Sequence, residues 1–456
     1  MKEPTPRTVR REIPGDERAS SFREVTYPLT ADEAMREAGR CLGCKNPQCA
    51  AHCPTKNHIP QFIGKIASGD FAAAYEILRE RTCMPAICGR VCPHEDQCEG
   101  HCALQKAGGA VAIGALESFV GDWAAENGLG FREPAERCGR RAAVVGAGPA
   151  GLACAERLLL AGWDVDVYES GALPGGVLEW GIPAFRLPVA AAEAPGKAVE
   201  NLGGRFHFGV KVGRDITVAA MLAGGAEAVF VAAGALTPNR MGIPGEDLPG
   251  VFPAVSFLSA INRSARANCG TAEFPDCGER VVVVGGGNVA MDAARAALRL
   301  PQVKSVTIVY RRTRNEMPAC EKELSDAENE GIIFRTLTNP AAFIGENGHV
   351  AAAECAVMEL GEPDASGRRR PVETDKPHEI IPADTVVLAL GFSTNADALA
   401  GTDGIETDRW GAVICRDGRQ TTLPHVYAGG DCVTGAATVV LAMRAGLDAA
   451  EEILAK

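Results

Sequence analysis

Residues 141–170 read RAAVVGAGPAGLACAERLLLAGWDVDVYES. The run Ala142–Val145 is apolar and of strand length, and Gly146, Gly148 and Gly151 follow it in a G-x-G-x-x-G turn. From Pro149 the apolar residues take helical spacing, and DVDVYE then reads as a second strand ending on Glu169. Strand, glycine turn, helix and strand together form a dinucleotide-binding unit. The glycines permit the tight turn and let a pyrophosphate approach the backbone. The helix N-terminus, with Pro149 and Ala150 in its first turn, favours the phosphate charge. Glu169 is placed to accept hydrogen bonds from an adenosine ribose.

The same grammar returns at residues 279–312, ERVVVVGGGNVAMDAARAALRLPQVKSVTIVYRR, with the turn at Gly285, Gly286, Gly287, Asn288, Val289 and Ala290. Its second strand ends on Arg311 and Arg312, with Arg314 close behind, where the first unit has an acid. An arginine there can clamp a 2′-phosphate bidentately. The first unit is therefore expected to take FAD and the second NADPH. The competing reading is a solvated basic surface, the usual setting of arginine. Gly176 joins the residues expected around FAD, as do Gly430 and Asp431 after the strand in HVYAGGD. A last helix opening at Ala437 or Thr438 would turn its positive end towards the flavin. Asp431 could instead be a helix cap.

Outward from these units the texture changes. At 456 residues the chain has room for two to four domains. Its net charge is −12 with no basic run beyond Arg368, Arg369 and Arg370, which leaves no footprint for nucleic acid. The N-terminus lacks the apolar core of a secretion signal. AVFVAAGA and TVVLALGF are strand-length and far short of the ~20 residues of a membrane span. A cytoplasmic location is expected, and there clustered cysteines bind metal or do redox work rather than form disulfides.

Nine of the 17 cysteines lie between Cys41 and Cys102. One run is Cys41-x2-Cys44-x4-Cys49-x3-Cys53-Pro54, the other Cys88-x3-Cys92-Pro93-x4-Cys98-x3-Cys102. Such spacing lets thiolates converge on iron–sulfur clusters, and the Cys-Pro pair closing the first run suggests that Cys53 crosses to the second cluster. Structural zinc is the main competitor. Cys83 and Cys88 are the candidates for inert buried thiols. Helical patches fall at ADEAMREAGR, FAAAYEILRE and ALESFVGDWAAE, with no long strand pattern before residue 135.

Taken in order, CLGCKNPQCAAHCP, CGRVCPHEDQCEGHC, IGALESF, VVGAGPAGL, GGGNVAMDAAR, VYRRTRNEMPA, YAGGD and GAATVVLAM resemble the glutamate synthase small (beta) subunit family. That family includes the large subunit of NADH-dependent ferredoxin:NADP oxidoreductase and is similar to the N-terminal part of dihydropyrimidine dehydrogenase. The resemblance implies an α/β protein with two Rossmann-like, disulfide-reductase-like domains preceded by a helical iron–sulfur domain. The division it suggests is 1–135 for two [4Fe–4S] clusters, 136–255 and 381–456 for FAD, and 256–380 for NADPH. It also implies that Cys41, Cys44, Cys49 and Cys102 hold one cluster, and that Cys53, Cys92, Cys98 and Glu117 hold the other. Glu117 is the oxygen among seven thiolates, and its competing reading is an ordinary helix glutamate. The N-terminal region could also be an interaction module with vestigial metal sites.

The expected activity is electron transfer between NADPH, FAD and the clusters to a partner, with no acid–base residue required. No Cys-x-x-Cys pair follows Cys53, so a dithiol relay is not expected. The first candidate is the glutamate synthase small subunit, in which a larger subunit must form the glutamate: the chain begins Met-Lys and has no room for a glutamate-forming barrel. The alternatives are a bifurcating transhydrogenase subunit working with a second flavoprotein and ferredoxin, and a pyrimidine-reducing partner subunit.

Overall fold

The computed structural model describes residues 6–130, 132–266, 275–363, 367–394 and 396–456. The strand Arg141–Val145 lies inside a seven-stranded sheet, buried from Ala142 onward. Across that sheet run Cys415–Asp417, Gln420–Thr421, Val426–Ala428, Ala228–Val231, Arg141–Val145, Asp164–Glu169 and Arg205–Phe208. The last five are mutually parallel. Parallel strands covered on both faces must be apolar throughout, as AVFV and AAVV are. The helices Pro149–Leu160 and Val439–Leu454 cover one face, with Leu152, Leu158, Met443 and Leu447 in one core.

A second, five-stranded parallel sheet is ordered Val251–Pro253, Thr385–Leu388, Arg280–Val284, Ser305–Tyr310 and Ile333–Thr336. Against it packs an antiparallel sheet built from Thr338–Glu346, His349–Pro363, Arg369–Glu373 and Glu379–Pro382. This arrangement moves two expected divisions. Val251–Pro253 and Thr385–Leu388 both belong to the second sheet, although residues 251–255 and 381–388 had been grouped with the FAD unit. The reason is backbone pairing: Thr385–Leu388 lies between Arg280–Val284 and Val251–Pro253 and pairs in parallel with both. HVYAGGD does return to the first sheet, where Val426–Ala428 pairs with Ala228–Val231.

Before the sheets the chain is helical. The three expected helices occupy Ala31–Ala38, Phe71–Arg79 and Ile113–Glu126. Thr30 and Glu33 form a capping box on the first of them. Ile59–Ala67 and Pro85–Val91 were not foreseen, nor were the one-turn helices Gly15–Arg18 and Gln48–Ala51. Leu29, Phe62, Ile66, Leu78, Leu116 and Val120 form the core of this region. The helix Pro85–Val91 crosses Ile113–Glu126 at close range. A Cβ on Gly89 would fall on the Ser118 amide, and one on Gly121 would meet Ala86. Among the described residues no helix is long and apolar enough to cross a membrane.

A chain of buried ion pairs ties the parts together. Arg186, from the loop before helix Val189–Asn201, reaches Asp292 at 2.7 Å and Glu323 at 2.9 Å. Arg295 binds Glu323 at 2.6 Å and Glu330 at 2.9 Å, and Arg299 binds Glu330 at 2.7 Å. Near the N-terminus, Arg18 reaches Asp326 at 2.8 Å. Arg295 has no solvent-exposed side-chain surface. Its replacement, Arg295→Leu, removes the cation that Glu323 and Glu330 share, leaves each with one arginine, Arg186 and Arg299, and is expected to cost about 1–3 kcal/mol. Denaturant unfolding monitored by circular dichroism measures this. An unchanged midpoint would show that the network holds nothing.

Candidate functional site

The two glycine turns open onto one cavity of about 1220 Å³. That exceeds the roughly 300–1,000 Å³ of a single small-ligand cleft. From the first unit Gly146, Gly148, Pro149, Ala150, Glu169 and Gly176 line it. Gly146 sits at φ +95°, a conformation that requires glycine, and a Cβ there would strike the Ala232 carbonyl. Gly148 caps the helix Pro149–Leu160 with no side-chain cap, and a Cβ built on it would meet nothing within 4 Å. Empty space over uncapped amides is what a pyrophosphate needs. Gly151 does not line the cavity. A Cβ there would land on the Gly146 carbonyl oxygen, so its absence is what brings helix against strand.

Glu169 accepts hydrogen bonds from the amides of Ala147 at 2.8 Å and Gly171 at 2.7 Å. Its carboxylate is thereby fixed at the cavity wall with lone pairs to spare. On the far side Gly430, Asp431 and Thr438 line the same space. The last helix begins at Val439, with Thr438 as its N-cap, one residue beyond Ala437. The Thr438 hydroxyl is buried and unpartnered among the described residues, an orphan that a bound flavin nucleotide can satisfy. Burial pushes the Asp431 carboxyl up to about 6. These features fit FAD.

Gly285, Gly286, Gly287, Asn288 and Val289 line the cavity from the second unit, and Ala290 is buried behind them. Gly287 caps Asn288–Leu298 as Gly148 caps its own helix. The Asn288 side chain accepts from the Cys320 amide at 2.9 Å, which fixes the loop after the arginines against the turn. Arg311 and Arg312 both line the cavity, Arg311 exposed and Arg312 buried with its Nε donating to the Arg369 carbonyl at 2.7 Å. Arg314 does not belong with them, because it is paired to Glu321 at 2.8 Å and Glu328 at 2.7 Å. Sequence reading missed Arg368, Arg186 and Asp292, which also line the cavity. Arg368 had been counted only as part of a basic run. Arg186 and Asp292 meet only through folding, so no local signal marks them.

The cysteines separate into two groups. Cys41, Cys44, Cys49 and Cys102 line a second cavity of about 80 Å³, backed by Ile59, Ile63 and Val111. Burial pushes the Cys49 thiol up to about 11, with Cys102, Cys41 and Cys44 adding their own charges. Cys53, Cys92 and Cys98 are likewise raised by burial, and each feels Glu117. For Cys92 the neighbouring Cys88 thiol is the larger cause. Burial alone drives the Glu117 carboxyl up to about 8, and among the described residues no hydrogen bond reaches it. Burial disfavours the ionised form of Cys49, Cys53, Cys92, Cys98 and Glu117, a penalty that the positive charge of a bound metal would offset.

Among the described residues no three such side chains converge tightly enough for a single ion. Tetrahedral zinc would draw thiolates to about 3.8 Å of one another, whereas the first four surround a space. Four thiols around one space, and three thiols beside a buried carboxyl, are donor sets that suit iron–sulfur clusters. Cys83 and Cys88 pack with the core of the first sheet, and neither lines either cavity. The large cavity also reaches Val91 and Pro93, the residues on either side of Cys92.

Residues 18–129 match the family model for dihydropyrimidine dehydrogenase domain II, 4Fe-4S cluster. Residues 140–446 match that for pyridine nucleotide-disulphide oxidoreductase. The chain is 38% identical over 450 residues to the glutamate synthase [NADPH] small chain of Halomonas elongata, covering 97% of this chain and 94% of that one. It is 37% identical to the NADP(+)-dependent formate dehydrogenase subunit beta of Moorella thermoacetica, covering 89% of this chain and 59% of that one. Among solved structures, FprA of Mycobacterium tuberculosis in complex with NADPH superposes with a TM-score of 0.57 at 24% identity, over 70% of this chain and 84% of that one. That last likeness is one of fold.

The last two glycines of the first turn, Gly148 and Gly151, have different roles, and a pair of substitutions separates them. Gly148→Ala should leave the unfolding midpoint of the apoprotein nearly unchanged, within about 0.5 kcal/mol, and lower FAD content. Gly151→Ala should destabilise the fold itself by about 1–3 kcal/mol. Flavin absorbance and thermal unfolding of both variants decide it; equal destabilisation would contradict the assignment of open space at Gly148.

Proposed function

The chain belongs to the glutamate synthase small-chain family of iron–sulfur flavoprotein oxidoreductases, and from that premise we propose that it oxidises NADPH in the cytoplasm and passes the electrons through its clusters to a larger partner subunit. The observation that carries this reading is the shared cavity. One continuous space touches both glycine turns and the two residues flanking Cys92. A bound FAD supplies the exchange between two-electron hydride chemistry and single-electron transfer.

The chain's own residues bind and orient. In this reading Gly146, Gly148, Pro149 and Ala150 cradle the FAD pyrophosphate, with Glu169 on the ribose, Gly176 beside the turn, and Gly430, Asp431 and Thr438 at the flavin end. Gly151 acts through packing. Gly285 to Val289 cradle the NADPH pyrophosphate, and Ala290 holds the helix close. Arg311 and Arg312 face the 2′-phosphate, and the hydrogen bond from Arg312 to Arg369 fixes that guanidinium in place. The Arg186–Asp292 pair spans the two units at the cavity wall and holds them in register. Cys41, Cys44, Cys49 and Cys102 would hold one [4Fe–4S] cluster. Cys53, Cys92, Cys98 and Glu117 would hold the one nearer the cavity.

The partner we assign is a glutamate-forming subunit, in keeping with the relatives named glutamate synthase small chain. Identity to a formate dehydrogenase beta subunit favours a second reading, in which the same electron path serves a different catalytic partner. Mixing the chain with a glutamate synthase large subunit should give NADPH-dependent glutamate from glutamine and 2-oxoglutarate. No glutamate from an iron- and FAD-replete mixture would overturn the first partner. Separately, replacing Arg311 and Arg312 by alanine should raise the KM for NADPH about ten- to a hundredfold while that for NADH changes little. Equal changes for both nucleotides would remove the arginines from the 2′-phosphate.

A further inference from the structure

Cys53 leaves the first cysteine run through Pro54, Thr55, Lys56 and Asn57. Lys56 takes a left-handed conformation, φ 55°, which a lysine adopts only under constraint. Its amide donates to the Cys53 carbonyl at 2.9 Å and its Nζ to the Ala51 carbonyl at 2.7 Å. This turn folds the chain back towards the Cys53 sulfur. Thr55 is buried there, with its hydroxyl oxygen 3.2 Å from that sulfur. The amides of Asn57 and Thr55 point at the same atom. Burial raises the Cys53 thiol, and of the groups opposing that rise the Thr55 hydroxyl is the strongest. The smaller cavity is served differently. Cys41 and Cys49 take backbone amides, those of Gly43 and Ala50. Among the described residues no hydroxyl reaches any of its four thiols.

We propose that Thr55 tunes the cluster nearer the large cavity: its hydroxyl donates to the Cys53 thiolate and raises that cluster's reduction potential above what its four ligands alone would set. The inference rests on the reading that Cys53, Cys92, Cys98 and Glu117 hold a cluster. A metal-bound thiolate carries no proton, so the hydroxyl must be the donor. Reduction adds one electron, supplied by NADPH through FAD, and no proton. Among three thiolates and a carboxylate, all buried, that added charge is costly. A hydrogen bond donated to the sulfur meets part of the cost, more in the reduced state than in the oxidised one. Thr55 acts through Cys53 and is therefore a positioning residue.

The test uses the holoprotein, poised anaerobically with dithionite and redox mediators and read by electron spin resonance. Thr55→Val keeps the shape of the side chain and removes the donor. One of the two clusters should become about tenfold harder to reduce, a fall of about 59 mV in its midpoint, while the other stays at its wild-type value. Thr55→Ser keeps the hydroxyl and should restore the potential. Where the valine variant fails to retain iron, Thr55→Ala removes the same hydroxyl without adding a methyl group beside the sulfur, and the same fall is expected. A threonine that only shapes the turn would move neither potential. Unchanged midpoints, equal shifts in both clusters, or a serine variant that behaves like the valine one would overturn the assignment. Wild-type protein purified without iron would instead overturn the cluster reading beneath it.

Discussion

Everything functional in this molecule depends on where one short helix is packed. Pro85–Val91 belongs in sequence to the cysteine-rich region, yet Met84, Ile87 and Cys88 share a core with Leu152 and Leu158 of the first dinucleotide unit. The buried Arg79–Glu156 pair and the contact from the Thr82 hydroxyl to Met443 at 3.4 Å fasten the same border. Cys92 is the C-cap of this helix, so burying the helix sets that residue between Val91 and Pro93, which both line the large cavity. Electron transfer slows steeply with separation, and a thiol set by core packing keeps that separation fixed where a loop would not.

The two dinucleotide units illustrate how one fold is specialised by few residues. Both place an uncapped glycine before a helix and leave space over its first amides. What differs is the end of the second strand, where Glu169 is held by two backbone amides and Arg312 by a backbone carbonyl. A carboxylate accepts from ribose hydroxyls, and a guanidinium donates to phosphate, so the backbone contacts orient opposite chemistries at equivalent positions.

The motifs that could be read directly are those in which the chemistry is local. Gly146 to Gly151, Gly285 to Ala290 and the cysteine runs occupy fixed spacings because a turn or a ligand set demands them, and folding keeps their members together. The helices at Ala31–Ala38 and Phe71–Arg79 were legible from their apolar period. Ile59–Ala67 was not, since IPQFIGKIA is short, begins His-Ile-Pro and carries an internal Gly64. Thr385–Leu388 looks the same in sequence whichever sheet it joins, as any fully buried parallel strand does, and only pairing over more than a hundred residues decides it. Arg186 and Asp292 lie 106 residues apart and carry no pattern that joins them. The sequence also left the Arg314 side chain open, and two glutamates on the following helix settle its direction.

The most direct test of the account is anaerobic purification with iron, sulfide and flavin quantitation, followed by titration with NADPH under absorbance and electron spin resonance. The account predicts about eight irons and one FAD per chain, flavin bleaching by NADPH, and reduced-cluster resonances that follow it. Flavin that bleaches in a protein without iron would contradict it, leaving the thiol groups and Glu117 without the role proposed for them.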